Sequence, residues 1–471
     1  MSITYKIEID NEKIENFYDL IEKVFSAVMD CVREIINKYM EKLDCELLEK
    51  RDKKRYRTKG IRKTSVKTKL GTVEYERRMY RDTQTNEYVY LLDEALEMRC
   101  IGLFDEGLCR IIEDMICKQS YRETAKSVSE LTGQVISAQR VWDIVQKAGE
   151  EAISLSTKPA AAAAGLVESK ILFEENDGDW LKLQGDDREK YGASKEMKIG
   201  IAYDGVLFKK QKNGKIRRKL DNKVAYASFE AVGEFRKHCE NMISRVYNTD
   251  EIELRVRNGD GAKWIQKTSD CDCICVLDKF HRNKKITECV KDKEIAENLR
   301  ELLLQDKFDE LLECIKAYLN SMEDGSDKEK MRELYSYYWE NREALAGYYD
   351  RGITIPPTRE PGVVHHARLG SMEGNVFTLI GNRMKGRRAC WSVKGGNNLA
   401  ALLCRHYTEV DHEPMNTAEQ TDDISSPVLS AASIKETSGK GYEFSGNVSL
   451  PSASKWLRDL SHLTPLSQLS F

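Results

Sequence analysis

The stretch NGDGAKWI, residues 258–265, decides how this chain is read. It follows an alternating run in which Ile252, Leu254 and Val256 share one side of a predicted strand. Eighteen residues beyond Asp260, a second short apolar run, CICVL (273–277), ends at Asp278, and His281 comes three positions later. Read as strand, Asp, helix, strand, Asp, the segment puts two carboxylates at the carboxyl ends of neighbouring strands, where open α/β sheets collect their chemistry. Gly259 and Gly261 let the backbone turn sharply and leave Asp260 unobstructed, as a metal-binding carboxylate requires. An ordinary Asp-Gly turn after a strand is the plain alternative.

Working upstream, ILFEENDGDWLKLQ (171–184), MKIGIAYDGVLF (197–208) and KVAYASFE (223–230) read as three further strands. Strand, strand, strand, helix, strand, helix, strand is the order of a ribonuclease-H-like sheet, so the expected fold class is α/β with that catalytic core. Downstream, Asn283 to about Gly347 is strongly helical, with Leu299, Leu302, Leu303, Phe308, Leu311, Leu312, Ile315 and Leu319 at helical spacing, which reads as a helical insertion. SMEGNVFTLIGNRMKGRR (371–388) reads as a helix capped by Ser371, with Met372, Val376, Leu379 and Ile380 on one apolar stripe and Glu373 beside it in the first turn.

The amino-terminal third has a different character. Residues 15–50 carry Phe17, Leu20, Ile21, Val24, Val28, Val32, Ile35, Tyr39 and Leu43 at helical spacing, a candidate for self-association. Between 51 and 81, thirteen Lys and Arg residues, Arg62 and Lys63 among them, face only Asp52, Glu74 and Glu76. Such a block releases counterions from a phosphate backbone. It runs into a predicted hairpin of TSVKTKL (64–70) and VEYERRMY (73–80). QSYRETAKSVSELTGQVISAQRVWDIVQ (119–146) reads as two helices around Gly133, with Ala125 and Val128 facing Val141 and Ile144, Ser137 as a cap, and Gln139 and Arg140 at the end that enters a major groove.

These readings divide the chain into 1–50 (long helix), 51–157 (basic hairpin and helix-turn-helix), 166–282 (catalytic core, first part), 283–350 (helical insertion), 351–405 (core, second part) and 406–471 (aperiodic segment and tail). KPAAAAAG (158–165) marks the first joint, 408–450 lacks periodicity, and PSASKWLRDLSHL (451–463) is a short amphipathic piece. Within the 471 residues there is no run of eighteen apolar residues, and MSITYKIEIDNEKIE is no secretory leader, so a cytoplasmic protein is expected. The thirteen cysteines show no zinc spacing, since Cys271, Cys273 and Cys275 alternate along a predicted strand, and reduced thiols are expected.

Three carboxylates from distant parts of the chain, Asp177, Asp260 and Glu373, stand out as a candidate catalytic set. Gathered together they raise one another's pKa unless a cation sits among them. Hard oxygen ligands favour Mg²⁺ or Mn²⁺, and two such ions about 3.5 to 4 Å apart suit in-line displacement at phosphorus. Asp179, two residues on and on the same strand face, and Asp204, at the end of IGIAYDG, are competing acids. His281 reads either as a structural histidine or as a group beside the scissile phosphate, and Glu373 alternatively as a first-turn helix carboxylate.

EENDGDWLKLQ, NGDGAKWI, VLDKFH, GSMEGNVFTLIGNRMKG and WSVKGGNNLA together resemble, in order and spacing, the ISLre-type insertion-sequence transposases, a group long catalogued as an uncharacterised bacterial protein family. The likeness extends over nearly the whole chain, including the C-terminal PSASKWLRDL. It implies a DDE transposase that cuts at the element's terminal inverted repeats and joins the freed 3′-hydroxyl to target DNA, acting as an oligomer on the bacterial nucleoid. By position, Asp177, Asp260 and Glu373 match the three acids, Asp278 and His281 match the Asp-x-x-His motif of Mutator-like relatives, and the helical stretch matches their insertion domain. One departure is that Ile380 stands where many transposases carry a DNA-holding Lys or Arg. Arg383 and Lys385, with Arg387 and Arg388 behind them, are the expected phosphate contacts instead, and Trp391 is expected in the core. A catalytically silent DNA-binding protein and a structure-specific nuclease on the same fold are the rival functions.

Overall fold

A computed structural model of the chain describes residues 14–159, 165, 167–211, 214–266, 273–357, 363–364 and 369–408. The expectations for Cys271, for 409–450 and for PSASKWLRDLSHL fall outside those residues. Among the described residues no helix is long and apolar enough to cross a membrane.

The chain enters on one long helix, α1 (Phe17–Lys50), whose side-chain cap is Asn16. Its carboxyl-terminal half lies on a long antiparallel hairpin, β1 (Tyr56–Thr68) and β2 (Gly71–Asp82), with Met40 buried among Val66, Val73, Tyr75 and Leu92. The pairing extends further than the predicted hairpin at its open end. The other half of α1 leaves Phe17, Ile21, Phe25 and Val28 exposed.

Three helices follow, α2 (Glu106–Ile116), α3 (Tyr121–Thr132) and α4 (Ala138–Thr157). The sequence dictates their ends locally. Ser120 accepts from the Glu123 amide while the Glu123 carboxylate accepts from the Ser120 amide, a reciprocal box that satisfies two orphan donors. Gly133, at φ 65°, turns the chain out of α3, and the Ser137 hydroxyl caps α4. Ala125, Val128, Val141 and Ile144 are all buried between the two helices, as their spacing predicts. Removing the box with Ser120→Ala is expected to cost about 1 kcal/mol, read as a lower urea midpoint at unchanged slope.

The central sheet consists of β3 (Ile171–Lys182), β4 (Ser194–Tyr203), β7 (Val224–Ser228), β8 (Leu254–Gly259) and β9 (Cys273–Leu277), laid side by side in the order β7-β4-β3-β8-β9. β3, β7, β8 and β9 run in one direction, and β4, between β3 and β7, is the antiparallel member. MKIGIAYDGVLF, expected as one strand, breaks at Asp204: its first half is β4 and its second is β5 (Gly205–Lys210), which pairs with β6 (Ile216–Asp221) in a separate small sheet. Asp204, buried, accepts from Asn222 Nδ2 at that bend. The register pairs Tyr203 with Phe173, so Asp204 lies toward the far end of the sheet from Asp177, which pairs with Ile199.

One face of the sheet carries α5 (Val232–Val246). On the other, Ile171 and Phe173 share a core with Tyr348, Met372, Leu379, Ile380 and Leu399. The same core contains Ile112, Val141 and Ile144, so helices α2 and α4 share it with the sheet. Gly149 marks how close that contact is, since a Cβ there would stand 2.5 Å from the Asn398 Cβ. The predicted insertion is the helical series α6 (Lys279–Cys289), α7 (Lys293–Leu304), α8 (Phe308–Ser321) and α9 (Ser326–Glu340), folded around a core of its own that includes Leu299, Leu311, Ile315 and Leu334.

Candidate metal centre

The register of three adjacent strands aligns the candidate acids. Asn258 pairs with Glu175 and Gly259 pairs with Leu277, so the next residues, Asp260 and Asp278, leave β8 and β9 side by side. Asp177, two residues beyond Glu175 on the longer β3, stands level with Asp260. Strand alternation puts Glu175, Asp177 and Asp179 on one face, the face onto which the chain returns nearly two hundred residues later. There the short helix α10 (Met372–Val376) carries Glu373 in its first turn and continues as a π-helix over Phe377–Lys385. Met372, Leu379 and Ile380 are buried, so the predicted apolar stripe is the side that docks. Ser371 occupies the cap position, yet its hydroxyl makes no cap bond.

Asp177, His281 and Glu373 present ligand atoms that all lie within 4.8 Å of one another. Asp177 is buried, His281 half-buried and Glu373 exposed, so the group opens to solvent on the Glu373 side. It borders a pocket lined in part by Asn176, Asn258, Asp278, Phe280 and Gly370. Asp260 borders this group without joining it. Its Oδ1 accepts from the Ala262 amide at 2.8 Å, and its backbone carbonyl accepts from the Tyr337 hydroxyl of α9 at 2.7 Å, which ties the loop to the helical insertion. Gly261, at φ 91°, is hemmed in by Leu277 and Tyr337, so the turn that presents Asp260 has no room for a side chain.

Electrostatics follow from this crowding. Burial, reinforced by the charges of Asp260 and Glu373, pushes the Asp177 carboxyl up to about 6, against the opposing pull of the Gly178 amide and His281. Burial works against a charge on His281, but its contact with Asp278 and the fields of Asp177 and Asp260 hold its pKa above the usual value. Asp278 is buried too, and bonds from His281 and Asn258 keep it below the usual carboxylate range. Asp278 also caps α6, since Oδ1 accepts from the amides of Phe280 and His281, and it lies 3.3 Å from the His281 Nδ1. The i, i+3 spacing of DKFH therefore puts an imidazole with a raised pKa beside Asp177, a more central position than its reading as a neighbouring-strand marker gave it.

The basic candidates divide into engaged and exposed groups. Arg383 does not face solvent as a ready phosphate contact: its Nε donates to the Ile116 carbonyl at 2.7 Å and its guanidinium lies over the rings of Tyr121 and Trp391. Lys385 is ion-paired with Asp179, which gives that competing acid a cationic partner of its own. Arg388 is exposed, whereas the side chain of Arg387 is not among those described. Ile380 is fully buried, and Trp391 is buried with its indole donating to the Met384 carbonyl, so both are core residues. Arg62 and Lys63 stand exposed on β1. Gln139 and Arg140 are exposed at the start of α4, both bonded to Asp143. Lys67 of β1 donates to the Val135 carbonyl, and Thr72 of β2 to Gln134, which fastens the hairpin to the turn between α3 and α4.

Glu175 was not singled out by the sequence reading. It is fully buried and accepts from the Tyr203 hydroxyl at 2.6 Å, from Asn258 Nδ2 at 2.9 Å, and from the backbone amides of Gly370 and Ser371 at 3.1 and 3.0 Å. Asn258 meanwhile donates to Asp278 Oδ2 at 3.1 Å. A third acid on the alternating face of Phe173 and Asp177 was the available signal.

Residues 11–420 match the model of an uncharacterised protein family, UPF0236. A UPF0236 protein of Caldanaerobacter subterraneus subsp. tengcongensis, whose name joins eleven serial designations, is 25% identical over 394 residues, 82% of this chain and 77% of its own. Another from the same organism is 24% identical over 396 residues, covering 82% of this chain and 78% of its own. A UPF0236 protein of Streptococcus gallolyticus, named for the vanSb 3′ region, is 22% identical over 393 residues, 82% of each chain.

Proposed function

Because the chain belongs to UPF0236, a family whose name assigns no activity, we propose from its site that it is a DDE transposase, binding insertion-sequence ends and catalysing metal-dependent DNA cleavage and strand transfer. The observation that carries this reading is the convergence of Asp177 and Glu373, from segments nearly two hundred residues apart, on the same corner as Asp260. The order β7-β4-β3-β8-β9, with only the second chain-order strand antiparallel to the rest, supports a ribonuclease-H-like core. Order and spacing of the five motifs shared with ISLre-type transposases support the same assignment. So does the relative whose name joins eleven designations in one organism, as expected of a protein encoded at several places in a genome.

Of the Asp177, His281 and Glu373 group, the two carboxylates fit Mg²⁺ or Mn²⁺, since they converge where burial and mutual repulsion disfavour the charge of Asp177. Ions held by Asp177 and Glu373, with Asp260 turned in from its Ala262 bond, would supply charge neutralisation at phosphorus. His281, its pKa raised by Asp278, would pair with a phosphate oxygen when protonated or hold a proton at its imidazole beside Asp177. Arg62, Lys63, Gln139 and Arg140 would hold DNA on the face formed by hairpin and helix pair, joined by the exposed Arg388; Lys385 would do so in competition with Asp179. A second copy would meet this one along the exposed Phe17, Ile21, Phe25 and Val28 row of α1.

The test uses the full chain, Mg²⁺ or Mn²⁺, and DNA taken from both flanks of the gene, where the proposal expects matching inverted repeats. Nicks at the repeat ends followed by joined products are the expected result. Cleavage without joining would make the protein a structure-specific nuclease, and binding without metal-dependent cleavage would make it a DNA-binding protein only.

A further inference from the structure

Glu373 sits on a helical segment that reaches the sheet from far away in sequence, and its own turn is exposed. Something must set its distance from Asp177, and hydrophobic docking of Met372, Leu379 and Ile380 fixes the segment's face but not its position along β3. Two bonds set that position. The amides of Gly370 and Ser371, immediately before the helix, both donate to the Glu175 carboxylate, two residues from Asp177 on the same strand. In a capping box the side chain at the third helical position would accept from the Ser371 amide, but that position is Gly374, so the amide turns to Glu175. Gly370 adopts φ 120°, and a Cβ there would stand 3.3 Å from Asp278 Oδ2, so the turn is pressed against the second carboxylate as well.

We propose that Glu175 is the positioning residue of the site: it docks the Gly370–Ser371 turn onto β3 and thereby carries Glu373 to Asp177, while Asn258, shared between Glu175 and Asp278, ties the same dock to the His281 side. The Tyr203 hydroxyl and Asn258 fill the remaining acceptor positions of Glu175 and hold the carboxylate in one orientation. Such a buried, fully satisfied group orients the residues around it as outer-shell partners orient metal ligands.

The inference rests on the reading of Asp177 and Glu373 as ligands of one ion, and the experiment separates the two. Hydrogen exchange followed by mass spectrometry on the full chain, comparing wild type with Glu175→Gln, reads the dock without any metal. Peptides over 369–376 are expected to exchange about tenfold faster or more in the variant, with those of α5 unchanged. Unchanged protection over 369–376 would overturn the proposal. Mn²⁺ titration followed by electron paramagnetic resonance then reads the consequence, with binding expected to weaken about ten- to a hundredfold. Faster exchange with undiminished Mn²⁺ affinity would also overturn it. Should Glu175→Gln fail to fold, Ser371→Pro removes one of the two amides while leaving the carboxylate in place, and the same two readouts apply. A wild-type protein that binds no Mn²⁺ would sink the metal reading, and the exchange result alone would then decide the dock.

Discussion

Asp177→Asn is expected to abolish metal-dependent nicking of the end DNA, by about a thousandfold or more, with DNA affinity changed less than about twofold. The magnitude follows from what the side chain does. A buried carboxylate that binds a divalent ion and helps stabilise charge developing at phosphorus is worth several kcal/mol in the transition state, and about 4 kcal/mol is about a thousandfold in rate. The amide is nearly isosteric and still accepts from the Gly178 amide, so the strand keeps its shape. Affinity should survive because the proposed DNA-holding side chains, Arg62, Lys63, Gln139 and Arg140, belong to the hairpin and to the start of α4, and none is among the groups that set the electrostatics of Asp177. Asp260→Ala is the sharper comparison: its Oδ1 is bonded to the Ala262 amide, so full loss of nicking would mean that it rotates inward with DNA and metal bound. Nicking by Asp177→Asn at wild-type rate would end the assignment of Asp177 to the site.

What the sequence made legible was whatever is encoded locally. The ends of α3 and α4 could be read because Ser120, Glu123, Gly133 and Ser137 make their bonds within a few residues. The row of Asp177, Asp260 and Asp278 could be read because strand ends and alternation are local patterns, and the parallel register does the rest. Other features depended on contacts that no window of sequence contains. MKIGIAYDGVLF has apolar residues on both sides of Asp204 and reads as one run, and its division between two sheets is decided by which partner strands lie beside each half. Arg383 and Lys385 look like free cations on a helix until Ile116 and Asp179 arrive from elsewhere. The π-helical turn at Phe377–Lys385 has no composition signature, yet it sets which side chains follow Glu373 on the docked face. Glu175 and Asp177 are both acids on one strand face, and only the returning Gly370–Ser371 turn distinguishes the one that accepts its amides from the one that stands beside His281 and Glu373.

The same Asp177→Asn exchange that removes activity is expected to stabilise the metal-free protein at pH 8 by about 2 to 3 kcal/mol. The argument is one of linkage. In the folded chain the Asp177 carboxyl titrates at about 6, against 3.8 for the unfolded reference, because burial, Asp260 and Glu373 all disfavour its charge. A raised folded pKa means that the native state holds the proton longer than the unfolded state. Stability is therefore greatest below about pH 4 for this group and falls as pH rises through the window from 3.8 to about 6. Two pKa units correspond to about 2.7 kcal/mol, and Asp177 is buried enough for little of that to be screened away. His281 slopes the same way: its folded pKa is raised, so the stability it contributes is present at low pH and lost as pH climbs through that value. Asn at 177 removes the first slope and, by withdrawing one of the charges that favour the imidazolium, shrinks the second. Urea denaturation of chelator-treated protein at pH 4.5 and pH 8 should therefore show a falling midpoint for wild type and a nearly level one for the variant. Mn²⁺ at about a hundred times its Kd should return about 2.7 kcal/mol to wild type at pH 8 and nothing to the variant. A variant no more stable than wild type at pH 8 would mean that the ionised carboxylate is already neutralised by the protein itself, leaving no electrostatic need for a cation between Asp177 and Glu373.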